Sequence, residues 1–489
     1  MTARGRRRRA RRLAGNPAVL DIATAGLLIA ATCGFAAAGL YAGRRESRDL
    51  DSYLVARGRY GAGTGAASLL ASAFGAWLLF SPAEAATWGG GVALLGYGLG
   101  SAAPRLAMIP LGVRLRRWMP EGHSLVEFVR VRYGTALYLA VLVVMIGYLA
   151  VILAAEATAT AKLIGAVSGL PAWLPAGVTL LAALIYTGVG GLSASIVTDR
   201  QQMALIAPFL VLLLGVGVYV ALTAPEAQAN RGPGLALGNA QAWETAGALF
   251  LAILFTNILN QGLWQRVFAV RDERAVRASM GWSAAIAGPV VMLVGAFGVL
   301  HGALGLDAPS VALIAVAQTA LPAWAMTLLA VLGVALVLSS MDTALNALSS
   351  LVVVAGRTAR PHWTRPRLLR LGTAASALAA LAALVVAIQG WSVLYLFLCA
   401  DLLCAAMAVP VFAGLYLPGY GARLALVSFA GGLAAGLAVF PGPAMSGGSL
   451  LGAFALAAGV PLALAPLCRL SGGRFDAARL AREVAAYTD

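Results

Sequence analysis

A few side chains are charged or strongly polar inside runs that are otherwise apolar: Arg105, Glu156, Asp199, Asn257, Asn260, Asp342 and Asp401. Such groups are costly in hydrocarbon, which makes each a candidate for function. The segment LSSMDTALNALSS, 338–350, adds the adjacent hydroxyls Ser339 and Ser340 just ahead of Asp342. Serines in membrane helices commonly bond back to a carbonyl one turn earlier. Asp401, in YLFLCADLLCAAMAVPVF, needs a cation, several hydrogen bonds or a proton, a requirement that favours a cationic or amide-rich ligand. Asn257 offers a donor and an acceptor, and an interhelical hydrogen bond is its plainer role. Asp199 closes YTGVGGLSASIVTDRQQ, 186–202, where glycines at 188, 190 and 191 allow a sharp turn. It reads as a helix cap or as a functional group. Glu156 and Lys162 read as a salt-bridged pair across a turn.

The elements that position these groups follow from composition. The chain has 489 residues, 61% hydrophobic and only 11% charged, a balance that a water-soluble domain of this size does not sustain. Apolar runs of about 20 residues recur down the chain, about thirteen in all, and helices are the element that can span with them. The fold class is therefore all-α and polytopic, embedded in a lipid bilayer. The run 322–355 is too long for a straight crossing and should tilt or continue into the cytoplasm. The net charge of +16 comes from arginines in short connections, a topology signal rather than a nucleic-acid surface. Connections near 44–59, 114–132, 266–277 and 357–370 share one side when the spans alternate. The C-terminal tail, 469–489, joins them, so that side is read as cytoplasmic, in a cell (plasma) membrane. This threading leaves the basic tail 1–18 outside despite its run RGRRRRARR, and 19–41 reads as a retained first span. Cys33, Cys399, Cys404 and Cys468 read as small buried hydrophobes. His123, His301 and His362 are too scattered for a zinc site, and no catalytic constellation emerges, so the chain reads as no enzyme and as needing no organic cofactor.

Three segments carry a resemblance to a known family. YTGVGGLSASIVTDRQQ resembles the Y-T-x-x-G-G-L-x-A-x-x-x-T-D-x-x-Q signature of the sodium:solute symporters, NQGLWQR (260–266) their N-Q-x-x-x-Q-R, and LSSMDTALN their hydroxyl-rich eighth core helix. The resemblance implies a LeuT-type fold: two inverted five-helix repeats, the first helix of each broken so that freed carbonyls can replace the water around a cation. The repeats would be 64–223 and 243–416, with the broken helices in 64–87 and 243–265. The first span 19–41 and the C-terminal pair in 422–468 would be peripheral.

Further site residues are implied by the same resemblance. In ASLLASAFGAWLL, matching AWLL to the family's G-W-L-L places sodium-binding carbonyls at Ala71 and Phe74. The eighth core helix would add the Leu336 carbonyl and the Ser339 and Ser340 hydroxyls. Ile253 and Thr256 correspond to solute contacts, with Asn257 adjacent as a further solute candidate, Asp401 falls where some relatives place a polar solute contact, and Asp199 and Asp342 are read as gating or coupling positions. Asp342 would bear on the ion's exit or pair with loop arginines. The implied activity is sodium-coupled symport of a small organic solute into the cell by alternating access. MPEGHSLVEFVRVRYG (119–134) and LWQR favour the urea and polyamine branch, with proline, pantothenate or a monocarboxylate as alternatives. Aromatic sugar-stacking positions are not obvious in the sequence, which disfavours a hexose. A membrane solute sensor is the rival of another class.

Overall fold

The computed structural model describes residues 50–229, 237–470 and 475–484 continuously, with scattered positions between 26 and 41. The basic tail 1–18 and most of the expected span 19–41 lie outside the described residues. Among the described residues the ordered elements are helical, and ten helices are long and apolar enough to cross a membrane.

A short helix α1 (Leu50–Leu54) precedes α2 (Ala62–Ala73), which stops at Phe74 and restarts as α3 (Trp77–Trp118). α3 contains two spans joined by non-helical backbone at Gly89 and Gly90. After α4 (Leu125–Tyr133) comes α5 (Thr135–Ser168), then α6 (Trp173–Thr223), again two spans, turned at Gly191. Of the glycines that the sequence offers for that turn, Gly191 takes the left-handed backbone, at φ +58°. A Cβ there would also press within 2.6 Å of the Tyr53 carbonyl, so only glycine fits.

The second half repeats the pattern. α7 (Ala240–Leu259) stops at Asn260 and restarts as α8 (Gln261–Ala269), followed by α9 (Glu273–Ala303). A short outlying helix α10 (Ala312–Ala320), not anticipated from the sequence, leads into α11 (Ala323–Ala359), continuous over 37 residues as its long apolar run requires. α12 (Arg365–Ala387), α13 (Val393–Tyr416), α14 (Ala422–Ala438) and α15 (Leu450–Leu464) complete the bundle.

Polarity is arranged for lipid. Val143, Val211, Leu378 and Val427 are exposed, whereas Asp199, Asp342, Glu156 and Asp401 are buried. α2 packs against α6, α8, α9 and α11, while α7 lies along α3 and α13, so both broken helices sit inside the bundle. Two of the four cysteines depart from expectation: Cys33 and Cys399 are exposed, while Cys404 and Cys468 are buried. Their thiols face outward from apolar helices, where a small hydrophobe meets lipid as readily as core.

The arginines do more than mark topology. Arg116 donates to the carbonyls of Val267 (2.8 Å), Val270 and Arg271 (2.9 Å). Arg57 donates to Pro120 (2.7 Å), Glu121 (3.1 Å) and Gly122 (3.0 Å), and Arg132 to Pro418 (2.9 Å) and Tyr420 (3.0 Å). A guanidinium presents several donors in a rigid fork, and here each fork satisfies carbonyls left over at helix ends. A short bridge, Tyr60 N–H to the Ala269 carbonyl (3.1 Å) and Arg271 N–H to the Tyr60 carbonyl (2.9 Å), ties the entry of α2 to the exit of α8.

Candidate functional site

The first break is built by a loss of backbone partners. Phe74 leaves helical geometry at φ −89° and ψ 86°. The N–H of Ala76, which in a continuous helix would reach the Ser72 carbonyl, donates instead to Glu156 Oε2 at 2.7 Å. The N–H of Leu78 turns to the Gly75 carbonyl at 3.1 Å, which takes from Phe74 its helical donor. Ala71 and Phe74, expected as carbonyl ligands, thus lie at the end of α2 and in the break itself, both buried.

Facing them on α11 are Ser339 and Ser340. Each hydroxyl meets a carboxylate: Ser339 donates to Asp199 Oδ1 at 2.8 Å and Ser340 to Glu156 Oε1 at 3.1 Å. Leu336 lies one turn earlier, fully buried. Its carbonyl has a second lone pair beyond any helical bond.

Behind Ser339 is a closed polar network. Arg266 donates to Asp199 Oδ2 (2.8 Å), Ser68 Oγ (2.8 Å), Thr343 Oγ1 (3.1 Å) and the Gly262 carbonyl (3.0 Å), and Ser68 Oγ donates to Asp199 Oδ2 at 2.6 Å. Arg266 is 2% exposed and Asp199 fully buried. The network joins α2, α6, α8 and α11. Asp199 is therefore an ion-paired core group and no interfacial helix cap. Arg266 is likewise a core residue, because NQGLWQR folds as a buried helix and not as a loop.

Asp342 sits among hydroxyls. Tyr186 Oη donates to it at 3.0 Å, Ser195 Oγ at 3.1 Å and Thr198 Oγ1 at 3.4 Å. Thr343 Oγ1, next to it on α11, donates at 3.3 Å and also accepts from Arg266, so the partners of Asp342 are hydroxyls of α6 and α11, and a pairing with loop arginines is not what the structure forms.

Beside the first break lies the main cavity. Phe74, Ser340, Ile253, Asn257 and Asp401 all line it, so cation and solute candidates share one space. Thr256 stands apart from them. Its hydroxyl donates to the Ala252 carbonyl at 2.7 Å, it is 1% exposed, and it is not among the residues that line the cavity. Asn257 holds the Ile253 carbonyl at 3.0 Å with its amide nitrogen, an intrahelical bond where an interhelical one was the plainer expectation.

Several lining residues escaped the sequence reading. Trp77 stacks on Tyr97 with centroids 6.0 Å apart and 8° between planes, and meets Phe397 edge-on at 6.4 Å. The indole nitrogen is anchored on the Ala73 carbonyl at 2.8 Å. The cavity is aromatic after all, and the sequence gives no signal for it because aromatic residues are spread through most of the apolar spans. Arg105 also lines it. One of its amino groups donates to the Ser101 carbonyl, and Nε has no partner among the described residues.

Glu156 corrects the expected pairing with Lys162. Six residues on, Lys162 is about 9 Å along the axis and roughly 120° round the helix, too far for a pair. The electrostatic partner of Lys162 is Glu84.

Comparison with known proteins bears on this architecture. Two solved structures share it at low identity. The first is a Na+-coupled sialic acid symporter in a substrate-bound outward-open state, with TM-score 0.74, 18% identity, and 92% of this chain and 98% of that one covered. The second is a nucleobase-cation-symport-1 family transporter closed around bromovinylhydantoin, with TM-score 0.60, 12% identity, and 88% and 98% covered. The fold is therefore LeuT-type. In sequence the chain is similar to a spermidine transporter of Candida albicans, 27% identical over 446 residues, covering 87% of this chain and 80% of that protein. No protein-family profile matches the chain. The proteins that it resembles, in sequence and in fold, are transporters and not enzymes.

Proposed function

We propose that the chain is a secondary active transporter of the sodium:solute symporter kind, coupling Na+ entry to uptake of a small organic cation of polyamine type. Asp401 carries the reading: a carboxylate facing an aromatic cavity that adjoins the first helix break. An ammonium group gains from the carboxylate charge and from the faces of Trp77, Tyr97 and Phe397 together. The spermidine transporter among its relatives supports the same chemistry. Ala71, Phe74, Leu336, Ser339 and Ser340 would hold the sodium, Ile253 and Asn257 would flank the solute, and Thr256 would support Asp401. Asp199 and Asp342 would couple the two through the networks on α6 and α11. Cation and solute would pass through opposed openings of the bundle, in a plasma membrane with the arginine-bearing end and the C-terminus inside.

Arg105 favours a second reading. A guanidinium with a free donor in the same cavity suits a solute with a carbonyl or carboxylate, such as urea, proline or pantothenate. Melting of the purified protein separates the two, since a ligand stabilises by mass action. With Na+ present, spermidine is expected to raise the melting temperature and urea, proline and pantothenate to leave it unchanged. A rise with urea alone would replace the first reading by the second. Ser340→Ala should raise the Na+ concentration needed for half-maximal uptake severalfold, and an unchanged requirement would remove Ser340 from the sodium shell.

A further inference from the structure

Glu156 has no place in the solute cavity and none in the Arg266 network. It is fully buried on α5, and its hydrogen-bond partners are the Ala76 N–H and the Ser340 hydroxyl. Those partners stand on the two segments between which the sodium ligands are assigned. Gly75 completes the contact. A Cβ on it would overlap the Glu156 Oε1 position and come within 2.6 Å of Ser340 Oγ, so glycine is what lets the carboxylate reach the break. Among the described residues no arginine or lysine pairs with Glu156. Asp199, the carboxylate on the other serine, is paired with Arg266 at 2.8 Å. An isolated carboxylate is costly in a low-dielectric interior, and a cation that enters and leaves can neutralise it when a fixed one does not.

We propose that Glu156 is a charged ligand of the coupling cation at the first helix break, so that the ion meets a full carboxylate along with neutral carbonyls and hydroxyls. The proposal rests on the reading of Phe74 and Ser340 as sodium ligands. Between transport events the carboxylate caps the outer half of the broken helix through Ala76 and fixes the Ser340 hydroxyl. When Na+ binds, one carboxylate oxygen turns its charge to the ion while the other keeps the cap. Neutral oxygens alone suit weak, fast sites, and an added carboxylate tightens binding and favours a small hard cation.

The test uses full-length protein in detergent. Na+ is titrated at constant ionic strength against choline, with the fluorescence of the protein's tryptophans and the melting temperature as readouts. Trp77, immediately past the break, reports its state. Glu156→Gln keeps an oxygen for the Ala76 N–H and removes only the charge. The expected result is a severalfold rise in the Na+ midpoint of both signals, with little change in melting without Na+. A wild-type midpoint in Glu156→Gln would overturn the proposal and leave a capping residue. If Glu156→Gln does not fold, Glu156→Asp keeps the charge on a shorter arm and should shift the midpoint, and an unshifted midpoint would overturn the proposal equally. A wild-type protein that gives no response to Na+ would defeat the sodium reading itself and this proposal with it.

Discussion

The two helix breaks solve one problem in different ways. At the first, the freed Ala76 N–H is met by Glu156, a carboxylate eighty positions away on α5. At the second, Asn260 caps its own helix: its side chain accepts from the Gly262 N–H at 2.8 Å, and its carbonyl accepts from the Leu263 N–H at 3.1 Å. The charge balance differs in the same sense. Arg266, on the helix after the second break, neutralises Asp199, while the carboxylate at the first break has no such partner among the described residues. A break held by its own residue and a balanced ion pair can be permanent architecture. A break held from a distance by an unbalanced charge is where a mobile cation has something to do.

The largest expected effect comes from unbalancing the second region. Arg266→Ala leaves Asp199 buried without its cation, a loss of about 3–5 kcal/mol by the behaviour of broken buried pairs. Denaturation of the purified protein should show it, and Arg266→Ala with Asp199→Ala should recover part. If the double variant is no better than the single, the balance drawn between the two breaks is wrong. Next is Gly75→Ala, where the added methyl meets Glu156 and Ser340. Overpacking of this kind costs about 1–3 kcal/mol, and the Na+ response should weaken with it. Asn260→Ala removes a local cap, worth about 1 kcal/mol, and should lower the melting temperature while leaving the Na+ midpoint in place. A moved midpoint would make the second break part of the ion site.

The smallest effect lies at the arginine-bearing end. His123 is fully buried between Asp51 (3.2 Å) and Glu127 (3.4 Å). Burial pushes its imidazole down, but the Glu127 charge and the hydrogen bonds to Asp51 and Glu127 outweigh this and hold it above its usual 6.5. Burial likewise pushes Asp51 up, and the His123 hydrogen bond and Arg57 outweigh it, bringing Asp51 to about 2. The histidine's contribution is full below pH 6.5 and is lost as pH rises through its raised value. That of Asp51 is full above 3.8 and lost as pH falls toward 2. Melting temperature should therefore decline from pH 6 into the alkaline range, modestly, and His123→Gln should flatten that decline.

How much of this the sequence carries depends on contrast. Asp199, Asp342, Asp401 and the serine pair are conspicuous because a polar group in an apolar run has few innocent explanations, and all of them lie at the core. Gly75, one of 57 glycines, lacks that contrast, and only the structure shows it as the residue that lets Glu156 reach the first break. Trp77, Tyr97 and Phe397 carry no such contrast, since an aromatic side chain suits lipid, core and cavity equally. Arg266 follows a span end and so reads in the sequence as a topology arginine, and only the short helix α8 shows it turned inward. Glu156 has Lys162 as its nearest cation in sequence, but helical geometry sends Lys162 to another face. Position 260 shows the limit on boundaries: both 243–265 and the polar asparagines were legible, but the stopping residue depended on which asparagine caps.

The central claim is that Asp401 holds an organic cation whose entry is driven by sodium. Labelled spermidine uptake into proteoliposomes under an inward Na+ gradient tests it, comparing wild type with Asp401→Asn. The account predicts accumulation that collapses without the gradient and is lost in Asp401→Asn at an unchanged melting temperature. Equal accumulation in the variant, accumulation without Na+, or binding of spermidine with no accumulation at all would contradict it, the last pointing to a sensor.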